Sequence, residues 1–340
     1  LKQATGDTKG ALKILDNSHQ IEWARFYVRY HKALIAELAN DHKVAQSNYA
    51  SIFRLDSSTP RFALAYATHS ARIGEFALAR SIIARHTLRR AGTPHPTIRA
   101  LSAKLDANIP LTRVVKNAAQ GMSEAFYGLG EALAAEGGIS IGAIYLRLSL
   151  MIDNSSLFAR TRLANIYERM RRFDRAIEVY DEIPRGTPWD TAVQIRKAVN
   201  LGRLKKTERA KRILEDIADR NPKDFRPLDA LGELMHRHKR YAEAAKYYSR
   251  IIRLVANPKR QHWRYWYSRG ISFERMKRWP PAERDLKKAL ELYPNQPQVL
   301  NYLGYSWIDQ KLNLKRALRM IEKAVALKPD DGYFMDSLGW

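Results

Sequence analysis

Four short basic runs carry the most chemically pointed pattern in this chain: Arg169-Met170-Arg171-Arg172, Arg203-Leu204-Lys205-Lys206, Arg237-His238-Lys239-Arg240 and Arg275-Met276-Lys277-Arg278. In each run the first, third and fourth residues are Lys or Arg, so the runs together hold Arg169, Arg171, Arg172, Arg203, Lys205, Lys206, Arg237, Lys239, Arg240, Arg275, Lys277 and Arg278. Guanidinium and ammonium groups bind carboxylates and phosphates without making or breaking bonds. Side chains that do covalent chemistry are missing or scattered. There is no cysteine, which excludes disulfides, thiolate zinc sites and thiol nucleophiles. Of nine histidines, His236 and His238 are two apart on a helix end and face different ways, which suits no shared metal. No Ser/His/Asp spacing singles out a nucleophile. The run Tyr127-Gly128-Leu129-Gly130 lacks the form of a phosphate-cradling loop. A catalytic role, a cofactor and a metal are therefore not expected.

The elements that hold these runs follow from composition and period. The chain has 340 residues, 45% of them hydrophobic, enough to build a buried core and to exclude wholesale disorder. Helix formers dominate and strand-like alternation is nearly absent, so an all-α fold is expected. No apolar run reaches the roughly 18 residues a spanning helix needs. The nearest, residues 139–152, is interrupted by Arg147. The net charge of +24, from 59 basic and 35 acidic residues, favours anionic partners: an acidic protein, nucleic acid or anionic lipid.

An internal repeat organises the chain. Units begin at Ser123, Leu157, Thr191 and Phe225, successive starts being 34 residues apart, and continue at Trp263 and Pro297. Two more begin at Phe26 and Pro60, and a further one opens at Gly332. Counting each start as place 1, small residues recur at places 8 and 20, as Gly270 and Ala282. Ala289 stands at place 27 and Pro294 at place 32. This spacing resembles the tetratricopeptide repeat over nearly the whole chain. The resemblance implies a right-handed α-solenoid of helix-turn-helix hairpins that acts as a protein-interaction scaffold or adaptor, because one hairpin cannot bury its apolar face alone. The register breaks between His95 and Met122. The expected organisation is an N-terminal segment with two repeats (1–94), an irregular joint with one helix (95–122) and a C-terminal array of six repeats plus the start of another (123–340). One unbroken superhelix with a degenerate repeat is the alternative.

The basic runs occupy places 13 to 16, the turn inside each hairpin, and are expected to align as a ridge along one edge. Helix-end electrostatics accounts for the arginine at place 13 but less well for the pair behind it. Relatives more often carry a glycine and an acidic residue at this turn. The first helix of each hairpin is expected to line a groove through Tyr127, Asn165, Arg226, Arg264, Tyr267, Asn301 and Tyr305, types favoured at binding hot spots. An ordinary solvated inner face fits the same residues. The runs Asn301-Tyr302-Leu303-Gly304-Tyr305, Lys328-Pro329-Asp330-Asp331-Gly332-Tyr333 and Asp336-Ser337-Leu338-Gly339-Trp340 are similar to exported bacterial tetratricopeptide proteins of the envelope lipoprotein and protease-adaptor type. That resemblance implies a periplasmic or envelope location; without it a cytoplasmic one is expected. The chain opens at Leu1 and stops in mid-pattern, as a piece of a longer protein would. The expected function is a non-enzymatic scaffold that binds a peptide or acidic protein through the groove and the ridge. The alternatives are direct binding of nucleic acid or anionic membrane by the ridge, and self-association through the C-terminal edge at Tyr333, Phe334 and Leu338.

Overall fold

The computed structural model describes residues 2–16, 24–90 and 94–339. Trp340, the last residue of the C-terminal motif, lies outside them. The chain forms two compact units, residues 1–193 and 194–340. In order, the helices are α1 (Thr8–Asp16), α2 (Ala24–Leu38), α3 (His42–Leu55), α4 (Pro60–Arg72), α5 (Phe76–Arg89), α6 (Pro96–Asp106), α7 (Ala118–Ala135), α8 (Ile139–Ile152), α9 (Leu157–Arg169), α10 (Phe173–Asp181) and α11 (Asp190–Arg203). They continue as α12 (Thr207–Arg220), α13 (Arg226–Arg237), α14 (Tyr241–Leu254), α15 (Trp263–Arg275), α16 (Trp279–Leu292), α17 (Pro297–Asp309), α18 (Leu314–Leu327) and α19 (Gly332–Gly339). No strand occurs among the described residues. The all-α solenoid expected from the repeat is the fold observed.

Hairpins form by pairing neighbours: α2 with α3, α4 with α5, α7 with α8 and α9 with α10 in the first unit; α13 with α14, α15 with α16 and α17 with α18 in the second. Within each hairpin the buried stripe follows helical spacing. In α14 it comprises Ala244, Ala245, Tyr247, Tyr248 and Ile251. The alanines at place 20 (Ala45, Ala79, Ala176, Ala210, Ala244 and Ala282) are fully enclosed, as is Ala317 at place 21 of its hairpin, which has one extra residue. Glycine at place 8 lets the partner helix approach. A Cβ on Gly304 would lie 2.9 Å from the Ala317 carbonyl oxygen, and one on Gly270 would lie 3.2 Å from that of Ala282. Prolines stand in the first turn of α4, α6, α13, α16 and α17, where a missing N–H costs nothing.

The turns have one recurring geometry. The residue at place 15 has positive φ in eight hairpins: Asn40, Gly74, Gly137, Arg171, Lys205, Lys239, Lys277 and Lys311. Its N–H donates back to place 12 and the next N–H donates to place 11, as Lys239 to His236 (3.0 Å) and Arg240 to Met235 (2.9 Å). This pair of bonds closes the last helical turn around a left-handed residue.

Two buried clusters fill the first unit, one running from Tyr30 to Val115 and one from Tyr127 to Val193. Within 95–122, α6 starts at a His95 cap and buries Ile98, Leu101 and Leu105 in the cluster of α2–α5. At the other end, Phe334 is buried while Tyr333 and Met335 are exposed. The expectation that Phe334 had lost its cover is thus corrected: α19 packs on both α17 and α18.

The Gly304→Ala variant should lose about 1–3 kcal/mol, because its new methyl group meets a carbonyl oxygen that the hairpin cannot move aside. Gly270→Ala should lose less. Urea unfolding of the two variants side by side tests the order.

Candidate functional site

Two features of the structure can hold a ligand, one in each unit. The first is a cleft of about 650 Å³ in the N-terminal unit. α2 supplies Tyr27, the start of α4 supplies Arg61, α7 supplies Tyr127 and Glu131, and α9 supplies Phe158, Thr161, Arg162 and Asn165. Gly128 makes room for the wall, since a Cβ there would fall 2.7 Å from the Tyr27 ring. His95 and Trp189 complete the rim. His95 stacks on Phe158 with centroids 5.8 Å apart, and Trp189 meets both rings edge-on at 4.7 and 5.3 Å.

Arg61 is the floor of this cleft. It is 3% exposed. Its guanidinium lies 4.0 Å from the centroid of the Tyr127 ring and 5.1 Å from that of Tyr30. Its Nε stands 3.2 Å from a Glu124 carboxylate oxygen, which also accepts a bond from the Tyr30 hydroxyl at 3.3 Å. Burial works against the charge on Arg61; Glu124, Tyr30, Tyr127 and Glu131 outweigh it and raise its pKa further. Burial, with Arg90 and His86 adding, pushes His95 down to about 4, so that ring is neutral at pH 7.

The predicted groove residues divide between the units. Tyr127 and Asn165 both line the cleft. Tyr127 does so as a buried wall beneath Arg61, and Asn165 is half-buried and accepts a bond from the Tyr180 hydroxyl at 3.2 Å. In the second unit, Arg226 is exposed and paired with Asp224. Arg264 is exposed and reaches Asp229 at 2.5 Å. Tyr267 is half-buried edge-on to Tyr302, while Tyr305 is exposed. Asn301 does not face the groove: it is 1% exposed and donates to the Ser337 hydroxyl, because α19 covers this face of α17. Sequence reasoning missed three residues. Arg61 stands at place 2 of the Pro60 repeat, so the spacing that selected Glu124 and Phe158 would have found it. His95 falls in the break of the repeat register, and Trp189 stands at place 33 of the Leu157 repeat, which carries no groove signal.

The second feature is the basic edge of the C-terminal unit, formed by the turns α11–α12, α13–α14 and α15–α16. Arg203, Lys205, Lys206, Arg237, Lys239, Arg275, Lys277 and Arg278 are exposed. Arg240 is half-buried and pairs with Glu208 and Glu243. Arg275 sits 3.5 Å from Glu274, and Arg278 lies over the Phe273 ring. Among the described residues, Arg203, Lys205, Lys206, Arg237, Lys239 and Lys277 form no ion pair. Neighbouring turns sense each other: burial lowers the pKa of Arg237 and Arg203 lowers it further. His238 of one turn bonds Thr207 of the one before it at 3.0 Å. In the N-terminal unit, Arg169, Arg171 and Arg172 are exposed at the α9–α10 turn, and Arg169 donates to the Ala134 carbonyl at 3.2 Å. The cation pair behind place 13 does not lie inside the second helix. Place 15 is the left-handed residue between helices, and place 16 is the N-cap, with no side-chain capping bond at Arg172, Lys206, Arg240 or Arg278.

Among the described residues no three His, Cys, Asp or Glu side chains gather as a metal site, and no helix is long and apolar enough to cross a membrane. The fold is that of a helical-repeat protein. Tetratricopeptide repeat family models match residues 159–187 and 195–260, and the chain is a tetratricopeptide-repeat solenoid. A TPR repeat-containing protein of Pseudomonas aeruginosa, PA4667, is 34% identical over 74 residues, 22% of this chain. The match spans only 12% of that relative's own length. Among solved structures, the anaphase-promoting-complex hetero-tetramer Cut9-Hcn1 aligns over 98% of this chain and 81% of that one, with a TM-score of 0.50 and 13% identity. A tetratricopeptide repeat protein from Parabacteroides merdae aligns over 93% and 98% with a TM-score of 0.48 and 12% identity. Repeats of this kind mediate protein–protein contacts and typically serve as non-enzymatic scaffolds.

Asp229 offers a check on the groove of the second unit. Burial pushes its carboxyl up to about 6 although Arg264 pulls it down. A carboxyl with a raised folded pKa binds more protons folded than unfolded between pH 4 and 6, so its contribution worsens as pH rises through that window. Relative to Asp229→Asn, the wild-type protein should lose on the order of 2 kcal/mol of stability between pH 4 and pH 7. Thermal melts of both proteins across that range measure the difference.

Proposed function

We propose that the chain is an adaptor that captures an acidic protein segment on the basic edge of its C-terminal unit. The observation that carries this reading is where the cations stand. A left-handed conformation costs a non-glycine residue roughly 1 kcal/mol, and glycine or asparagine relieves that cost. Asn40, Gly74 and Gly137 take the relief, whereas Arg171, Lys205, Lys239, Lys277 and Lys311 forgo it in five consecutive turns. A fold that needed only the turn would place glycine there. Lysine at φ near +59° puts an unpaired ammonium at the outermost point of each hairpin, where it steers an anionic partner.

Two observations favour a protein over a nucleic acid. Carboxylates are interleaved with the cations, Glu208 and Glu243 at Arg240 and Glu274 at Arg275, which breaks a track for phosphates. The aromatics near the edge are also engaged elsewhere. Trp266 is buried and Trp263 packs against Tyr267 and Tyr293, so neither offers an open face on which bases could stack.

The test replaces Lys205, Lys239 and Lys277 with glycine together. Each change should raise stability by roughly 0.5–1 kcal/mol. Affinity for a fluorescein-labelled octaglutamate peptide at low salt should fall at least tenfold. A variant that melts higher yet binds the peptide unchanged sinks the proposal. Tighter binding of a DNA duplex than of octaglutamate at physiological salt would replace the acidic protein with nucleic acid as the partner.

A further inference from the structure

The cleft of the N-terminal unit has chemistry opposite to that of the basic edge. Its polar side chains include three nitrogen donors with buried, unpartnered atoms: Arg61 through Nε and Nη1, Arg162 through Nε and Trp189 through Nε1. Arg61 and Arg162 do lie near carboxylates, at 3.2 Å from Glu124 and 3.6 Å from Glu131, but neither contact has hydrogen-bond geometry. Every unpartnered buried polar atom among the lining side chains is thus an N–H, and none is an acceptor. Leaving a buried donor without a partner is unfavourable, so the cleft is set up for a ligand that brings acceptor oxygens.

The charge balance narrows the ligand further. Arg61, Arg90 and Arg162 line the cleft together with Asp56, Glu131 and Glu136, and Glu124 already neutralises Arg61 from behind. His95 is uncharged. A carboxylate entering here meets as many negative groups as positive ones, whereas a carbonyl oxygen accepts from the free N–H groups at no such penalty. The walls are aromatic: Tyr27, Tyr127, Phe158 and Trp189. They suit a flat or apolar side chain. The volume lies within the range of roughly 300–1,000 Å³ typical of small-ligand sites, large enough for a few residues in extended form.

We infer that this cleft binds an uncharged, extended peptide segment, with main-chain carbonyls on Arg61 Nη1 and Trp189 Nε1 and an aromatic side chain between Phe158 and Tyr27. The site is separate from the basic edge and selects by the opposite property, so an acidic partner would carry an uncharged aromatic stretch to engage it. Either surface can fail without the other.

The test uses the whole chain, labelled with nitrogen-15, and the capped peptide acetyl-Gly-Phe-Gly-Gly-amide. The indole N–H resonance of Trp189, assigned through its loss in Trp189→Phe, should shift saturably downfield as it gains an acceptor. The counterpart acetyl-Gly-Glu-Gly-Gly-amide should bind at least tenfold more weakly. Ligand-detected titrations should show Trp189→Phe, which keeps a ring and loses the N–H, weakening the Phe peptide about three- to tenfold. Arg61→Met should abolish binding where the variant folds, and Trp189→Phe carries the test where it does not. A Trp189 resonance that stays still, a Glu peptide that binds as well as the Phe peptide, or unchanged affinity in Trp189→Phe overturns the inference. Chitotriose shifting the resonance where both peptides leave it still would also overturn it, by making the cleft a sugar site.

Discussion

Each hairpin depends on two helices lying close enough for one backbone to touch the other. Gly304 faces the Ala317 carbonyl with no space for a methyl group, and Gly130 and Gly142 face each other's helices in the same way between α7 and α8. That closeness leaves each hairpin thin, with an apolar stripe on both helices and too little of its own surface to cover it. Stacking against the next hairpin is the only way to bury the rest. Everything else in the molecule, its inner faces and its outer turns, is surface that this stacking leaves over.

The turn is the second constraint. Closing a helix with bonds from places 15 and 16 back to places 12 and 11 forces one residue into the left-handed region. In the hairpins of α2–α3, α4–α5 and α7–α8 that residue is Asn or Gly, and local stability is served. In the turns after α9, α11, α13, α15 and α17 it is Arg or Lys. The backbone geometry is the same in both sets, so the difference lies in what the side chain offers to solvent. Lys205, Lys239 and Lys277 are exposed there.

In the N-terminal unit the leftover surface became a cleft, because Arg61 ties α4 to α7 through Glu124 and the Tyr127 ring and to α2 through the Tyr30 ring. The guanidinium is buried with more donors than its neighbours can accept from. A charge-neutral pocket with aromatic walls and spare N–H groups, and an exposed lysine edge, are different solutions within one repeat. Place 2 supplied the first and place 15 the second.

The period of 34, the small residues at places 8 and 20 and the absence of cysteine were enough to establish an all-α stack of hairpins, because close helix packing leaves its mark at regular intervals along the chain. The basic runs at places 13 to 16 were legible for the same reason. The sequence could not say that place 15 is left-handed, since Lys and Arg conceal a conformation that Gly would have announced. Nor could it tell Asn301, enclosed by α19, from Tyr305, left open one helical turn on. Tyr127, Asn165 and Arg61 were legible in the cleft by repeat place, but its rim was decided by tertiary structure alone. His95 lies in the break of the register and Trp189 at the connecting end of its repeat, and only the folded chain brings them to Phe158 and Arg61. Contacts between residues far apart in sequence carry no period, so spacing cannot reveal them.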